Sequence, residues 1–241
     1  QAAGKFLRPL EFMDIGTRVG RAAAVEASRI RSPRDIRVAS QRAKSSVTGD
    51  VREDQAWMRV TSRTANIKAH ERALPVLGRY DVVVVGGGTG GAPAGIAAAR
   101  QGAKTLVVEC LHGLGGIGTM GLIGKYYYGR QEGFTKELDQ GLVQLGGEGE
   151  GKSEPGQAWN SQVKVEWYRR ELRKAGADLW YGTLGCGAFV EGNQVKGVVV
   201  ATPQGRGVVL AKAVIDATGS ADIAAAAGAQ CSYITGEHVA V

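Results

Sequence analysis

Apolar and polar positions follow two different patterns along this chain, and the change comes at Tyr80. Ahead of it the apolar residues are scattered. Segment 17–31 (TRVGRAAAVEASRIR) reads as a helix that Ser32-Pro33 ends. From Asp35 to about Thr64 the chain is polar, and Val60, Ile67 and Leu74 are isolated apolar anchors. Pro75-Val76-Leu77-Gly78 reads as an extended lead-in. Past Tyr80 the pattern sharpens. The uninterrupted β-branched run that closes segment 81–85 predicts a central parallel strand covered on both faces. A turn follows over 86–91, then a small-residue helix over 92–101 that Gly102 terminates, then a second buried strand over 105–109. Strand, helix and strand within about thirty residues is the size of one βαβ unit.

Beyond a glycine-rich loop (111–133) and a polar stretch, 163–175 predicts an amphipathic helix capped by Gly176. Trp167 and Tyr168 are expected to pack inward, with Arg169 and Arg170 on its solvated face. Short strands follow over 178–181, 186–190, 195–202 and 207–210, with turns at Gly192-Asn193 and at 203–205. That spacing predicts a β-meander. A last strand, 213–217, leads through Thr218-Gly219 into an alanine-rich helix. The fold class that results is α/β: a Rossmann-like dinucleotide-binding domain over 79–241, preceded by a basic, partly extended segment over 1–78. No internal repeat is present.

Composition refines this picture in two places. Of the 241 residues, 37 are glycine, about twice the usual ~7% share, and most follow Gly86 in clusters between strands. They therefore read as turns and points of close backbone approach. The net charge of +7 is concentrated ahead of the motifs. Residues 1–79 hold 16 Lys/Arg against 8 Asp/Glu, whereas 80–241 hold 14 against 15. A solvated or partner-docking arm explains this, because the interleaved aromatics that stack on single-stranded bases are missing. No run approaches the roughly 18 apolar residues of a membrane span. Cys110, Cys186 and Cys231 form no metal spacing and no redox pair, and are expected to be buried thiols. The chain opens on Gln1, which implies trimming, and no signal core remains to separate a cytoplasmic from an exported protein.

The chemistry begins at Gly86-x-Gly88-x-x-Gly91, which follows a strand and opens a helix. Gly86 permits the tight turn, Gly88 lets backbone approach a diphosphate, and Gly91 lets the helix pack against the strands. The helix start then offers free N–H groups to the phosphates. Glu109, ending the second strand, is placed to accept from ribose hydroxyls, and its charge disfavours a 2′-phosphate.

A second motif, Ala213-Val-Ile-Asp-Ala-Thr-Gly219, returns to the sheet after the meander. In this order the chain resembles the FAD-dependent oxidoreductases of the glutathione-reductase-like superfamily. A third, Leu111-His112-Gly113-Leu114-Gly115-Gly116-Ile117-Gly118-Thr119, resembles the flavin-contacting loop of the fumarate-reductase-like branch. Together with Val214-Ile-Asp-Ala-Thr-Gly-Ser-Ala-Asp222, it narrows the resemblance to the FAD-dependent oxidoreductase group (FAD_oxidored), over about 78–230. Ser220-Ala221 stands where Asp-Gly is common in relatives, which leaves Asp222 near the cofactor. The resemblance implies FAD contacts from Gly86, Gly88, Thr89, Gly90, Gly91, Glu109, Cys110, Gly115, Gly116, Thr119, Cys186, Ala217, Thr218, Gly219 and Asp222. It implies no metal.

Candidate catalytic residues are His112, Lys125, Tyr126 and Tyr128. His112 suits a flavin contact, a proton carrier, a covalent flavin link or a structural loop residue. The Lys125–Arg130 cluster suits either a substrate cavity or aromatic packing. The implied activity is hydride transfer between FAD and a small organic substrate, at a C–H beside a hydroxyl or carbonyl. Relatives continue into a substrate domain, so a second polypeptide completing the site is expected. Two other readings stand beside this one: an electron-relaying flavoprotein subunit, and a nucleic-acid-associated flavoprotein that uses the basic arm.

Overall fold

The computed structural model describes residues 49–53, 73–125, 133–146 and 158–231. The expected helix at 17–31 and the anchors Val60 and Ile67 lie outside these residues. Seven strands form one sheet: β1 (Asp50–Arg52), β2 (Val76–Val85), β3 (Thr105–Val108), β4 (Asp178–Trp180), β5 (Leu184–Glu191), β6 (Gln194–Thr202) and β7 (Gly205–Asp216). Their spatial order is β1-β5-β6-β7-β2-β3-β4. The pairs β7–β2, β2–β3 and β3–β4 are parallel, while β1–β5, β5–β6 and β6–β7 are antiparallel. The helices are α1 (Gly91–Arg100), α2 (Phe134–Gly146), α3 (Ser161–Ala175) and the short α4 (Asp222–Ala227).

Alternation along β2 explains its position. Val82 and Val84 turn to one face, where they join Val107, Ile96 of α1, Leu142 of α2 and Leu172 of α3. Val83 and Val85 turn to the other, against Val198 and Val200 of the meander and Ile223 of α4. Helices thus cover one face of the parallel strands and the meander covers the other. A valine run without polar interruption is what such a strand requires. The helical face is tied together by Arg100 of α1, which bonds both Glu137 of α2 (3.0 Å through Nη1) and Glu171 of α3 (2.6 Å). Among the described residues no helix is long and apolar enough to cross a membrane.

The structure departs from the sequence pattern in four places. The expected strands 207–210 and 213–217 are one strand, β7. Lys212 interrupts its apolar pattern because it points to solvent and pairs with Asp81 at 2.6 Å. The stretch taken as polar contains α2, whose Gly141 is no helix breaker. Any Cβ on Gly141 would overlap the Trp167 indole, so that glycine permits close packing of α2 on α3. The sheet also draws on 50–52, inside the segment read as an appendage; β1 is three exposed residues and too short to show a period. Finally, the cysteines are not buried thiols: Cys110 and Cys231 are exposed and Cys186 is half-buried.

Candidate dinucleotide site

The carboxyl ends of β2, β3 and β7 come side by side, so three loops converge there: Gly86–Gly91, Glu109–Thr119 and Ala217–Asp222. This is the crevice in which open α/β sheets bind ligands. Gly86 has φ +92°, a left-handed conformation that favours glycine, and its N–H donates to the Val108 carbonyl at 2.8 Å. The Ala217 N–H donates to the Val85 carbonyl at 2.8 Å. The glycines of the first motif then divide into two kinds. A Cβ on Gly86 would overlap the Ala217 carbonyl, and one on Gly91 would overlap the Gly86 carbonyl. These two glycines bring strand end and helix start together. Among the described residues, a Cβ on Gly88 would only touch Gly116 Cα, at 3.9 Å, and one on Gly90 would meet nothing within 4 Å. No side chain caps α1, and its first turn carries no acid. Ala92 N–H donates to the Gly88 carbonyl at 3.1 Å, Ala94 N–H donates to the Gly90 carbonyl at 3.1 Å and Pro93 has no N–H, so the groups left for an anion are those of the loop up to Gly91.

Glu109 is 6% exposed, and backbone holds its carboxylate from two sides. Oε2 accepts from Gly87 N–H at 2.7 Å, and Oε1 accepts from Leu111 N–H at 2.7 Å. The Cys110 thiol also donates to Oε1, at 3.4 Å. A carboxylate has about four acceptor directions, so capacity remains for ribose hydroxyls. Partial burial, and then the Glu109 charge, push the Cys110 thiol up, which keeps it protonated.

The Gly115-Gly116 turn lies directly on the first loop. Gly115 N–H donates to the Gly87 carbonyl at 2.8 Å, and the Thr89 hydroxyl donates to the Gly115 carbonyl at 3.2 Å. Gly115 and Gly116 have φ of +98° and +57°, and a Cβ on Gly116 would crowd Gly88 Cα. Leu114, fully buried, anchors this turn beneath Gly87. On the third loop, Asp216 organises the chain. Its Oδ1 accepts from the Thr218 N–H (3.1 Å) and hydroxyl (2.7 Å), and its Oδ2 accepts from Ala224 N–H (2.8 Å). The Thr218 hydroxyl in turn accepts from Asp222 N–H at 3.0 Å. Gly219, with φ +88°, is exposed.

The structure thus brings together Gly86, Gly88, Thr89, Gly90, Gly91, Glu109, Cys110, Gly115 and Gly116, with Ala217, Thr218, Gly219 and Asp222 alongside. Three further residues stand apart from this set. The Thr119 side chain, 1% exposed, turns into its own loop and donates to the Leu114 carbonyl at 2.5 Å, so it shapes the turn. Cys186 packs on the outer side of the meander, its sulfur 3.6 Å from the Val199 carbonyl and near Glu53, because alternation on β5 sends Gly185 inward instead. His112 is exposed and neighbours the Gly182 turn after β4; Gly182 N–H donates to the Leu111 carbonyl at 3.4 Å. That places it at the Glu109 end of the crevice. Lys125 is exposed, while Tyr126 and Tyr128 lie outside the described residues.

Two features escaped the sequence reading. Asp216 had a signal, an acid at a strand end with Thr two residues on, which is a local turn former. The Trp159, Lys164 and Asp139 cluster behind the Gly116–Gly118 turn had none, since a lysine on an amphipathic helix reads as solvated.

An open glycine surface, an uncapped helix start and a fixed carboxylate beside them suit a diphosphate followed by a ribose. The family model described as FAD dependent oxidoreductase matches residues 81–238. The chain belongs to that family. FAD is accordingly its cofactor. Among solved structures the chain is similar to THI4 of Thermovibrio ammonificans, with 25% identity, 61% of each chain covered and a TM-score of 0.47. It is also similar to a geranylgeranyl bacteriochlorophyll reductase-like protein of Thermoplasma acidophilum, with 24% identity, 65% of this chain and 44% of that one covered, and a TM-score of 0.47. L-proline dehydrogenase from P. horikoshii matches at 16% identity over 66% of this chain and 58% of that one, with a TM-score of 0.46. The chain therefore spans less than two thirds of the length of each of these proteins.

Proposed function

We propose that this chain binds FAD with the diphosphate over Gly88 and Gly90 and the adenosine ribose at Glu109, and that it serves hydride transfer between FAD and a small organic substrate. The observation that carries this reading is the split among the motif glycines. Two are filled by protein backbone, while the two that face the crevice are left open at an uncapped helix start. FAD, when bound, supplies the redox chemistry. The protein's own groups bind and orient. The N–H groups of the loop up to Gly91 hold the diphosphate charge, and Glu109 fixes the ribose while its charge disfavours a 2′-phosphate. The Gly115-Gly116 turn lies alongside Gly88 and Thr89, where it closes the diphosphate channel from the opposite side.

His112, beside Gly182, lines the adenosine end in this reading. Lys125, Tyr126 and Tyr128 remain the residues assigned to the substrate. Anaerobic mixing of the FAD-loaded protein with alcohols, sugars and hydroxy acids tests the transfer. The expected result is bleaching of the flavin band by at least one class, slowed by deuterium at the reacting carbon. Bleaching only by a reduced protein donor, with no small molecule effective, would establish the electron-relay role instead.

A further inference from the structure

Lys164 lies in the first turns of α3 and is 3% exposed. Both conditions work against a cation. An ammonium removed from water costs several kcal/mol even after relaxation. The start of a helix also presents the positive end of its dipole. Capping of α3 does not call for this residue, because Asn160 already caps the helix by accepting from Gln162 and Val163 N–H at 2.9 and 3.2 Å. What Lys164 touches gives the reason for it. Its Nζ sits 3.4 Å from the centroid of the Trp159 ring, and a Cβ on Gly118 would lie 3.2 Å from the same nitrogen. Trp159 in turn donates through Nε1 to the Gly118 carbonyl at 2.6 Å and through its backbone N–H to the Gly124 carbonyl at 2.8 Å. The ammonium and the indole therefore clamp the turn whose other end, Gly116, lies against Gly88 and Thr89.

We propose that Lys164 is a positioning residue of the cofactor site: clamped with Trp159 against Gly118, it fixes the Gly116–Gly118 turn and places a buried positive charge behind it, facing the cofactor's diphosphate. This rests on the FAD placement given above. In a poorly screened interior one charge acts over a longer distance than at the surface. Among the described residues the following groups surround it. Asp139 of α2 is its countercharge, the Gly116–Thr119 turn has no ionisable side chain, and Tyr168 stands one turn along α3. Burial lowers the Lys164 ammonium to about 8, and burial raises the Asp139 carboxyl.

FAD affinity of the full chain, measured on both sides of that pH for wild type, Lys164→Met and Asp139→Asn, tests the proposal. Wild-type affinity is expected to weaken as pH rises through about 8, where the ammonium loses its proton. Lys164→Met is expected to bind roughly tenfold more weakly at neutral pH, with no step in that window, while its FAD-free form melts higher than wild type. A residue serving only the fold would lower the melting temperature instead. Asp139→Asn, which removes the countercharge, should move the wild-type step to lower pH. Unchanged affinity and an unchanged step in Lys164→Met would overturn the proposal and leave the FAD site standing. If Lys164→Met does not fold, an unmoved step in Asp139→Asn would overturn it equally. Absence of FAD binding by wild type would instead overturn the site itself.

Discussion

At the scale of single residues, the site depends on which hydrogen atoms on glycine can be replaced. Gly91→Ala drives a methyl into the Gly86 carbonyl and should destabilise the protein by about 1–3 kcal/mol, as overpacking against backbone does. Among the described residues Gly88→Ala meets nothing closer than 3.9 Å, and it should leave the melting temperature unchanged. Thermal melts of the two variants check the contrast; equal losses would mean that the open surface at Gly88 is not there. This division was only half legible in the sequence. The spacing of Gly86, Gly88 and Gly91 predicts a turn, a diphosphate approach and a packed helix, but not that the Ala217 carbonyl is what fills the space beside Gly86. Glu109 was legible as an acid at the end of the second strand. That it also staples Gly87 to Leu111 depends on loop geometry that no local pattern encodes. Lys164 also belongs to this scale. With its pKa lowered from 10.5 to about 8, the unfolded chain binds more protons between those values, so stability rises with pH across that window. The cost of that burial at neutral pH is of order 3 kcal/mol, and it should vanish from the pH-stability curve of Lys164→Met.

At the scale of elements, the parallel strands are held by more than their valines. The Tyr80 hydroxyl at the amino half of β2 donates to Asp178 of β4 at 2.7 Å, reaching across the sheet edge near β3. Burial and then this bond push the Tyr80 phenol up to about 12. The folded state therefore holds that proton more tightly than the unfolded one. The stability gained is present below pH 10 and is lost as pH rises through about 12. Tyr80→Phe should cost about 1 kcal/mol at neutral pH and flatten the alkaline fall in stability, as denaturant melts across that range would show. Identical alkaline profiles would contradict it. Strands β2, β3, β5 and β6 were legible because their apolar runs are dense and bounded by glycine or proline turns. The unity of β7 was hidden by the solvent-facing Lys212, and α2 by Gly141, whose purpose is contact with Trp167. Both misreadings have one cause. A residue that breaks a local pattern can be dictated by a neighbour distant in sequence.

At the scale of the whole described sheet, two layers cover the parallel strands and leave their carboxyl ends free. Helices α1, α2 and α3 close one face, with Arg100 joining them, and the meander with α4 closes the other. Among the described residues the crevice above β2, β3 and β7 collects loops rich in glycine and backbone donors, so in the proposed placement a cofactor enters there without rearranging the core. A ligand that binds the folded state alone stabilises it by about 2.7 kcal/mol at a hundred times its dissociation constant. The most direct check of the FAD placement is the dissociation constant of FAD for wild type and for Gly88→Ala, measured side by side. Wild type should bind FAD, and the alanine variant should bind at least roughly tenfold more weakly, a loss of about 1.4 kcal/mol, with its melting temperature unaltered. Equal affinity in the two proteins, or no affinity in wild type, would contradict a diphosphate resting on Gly88.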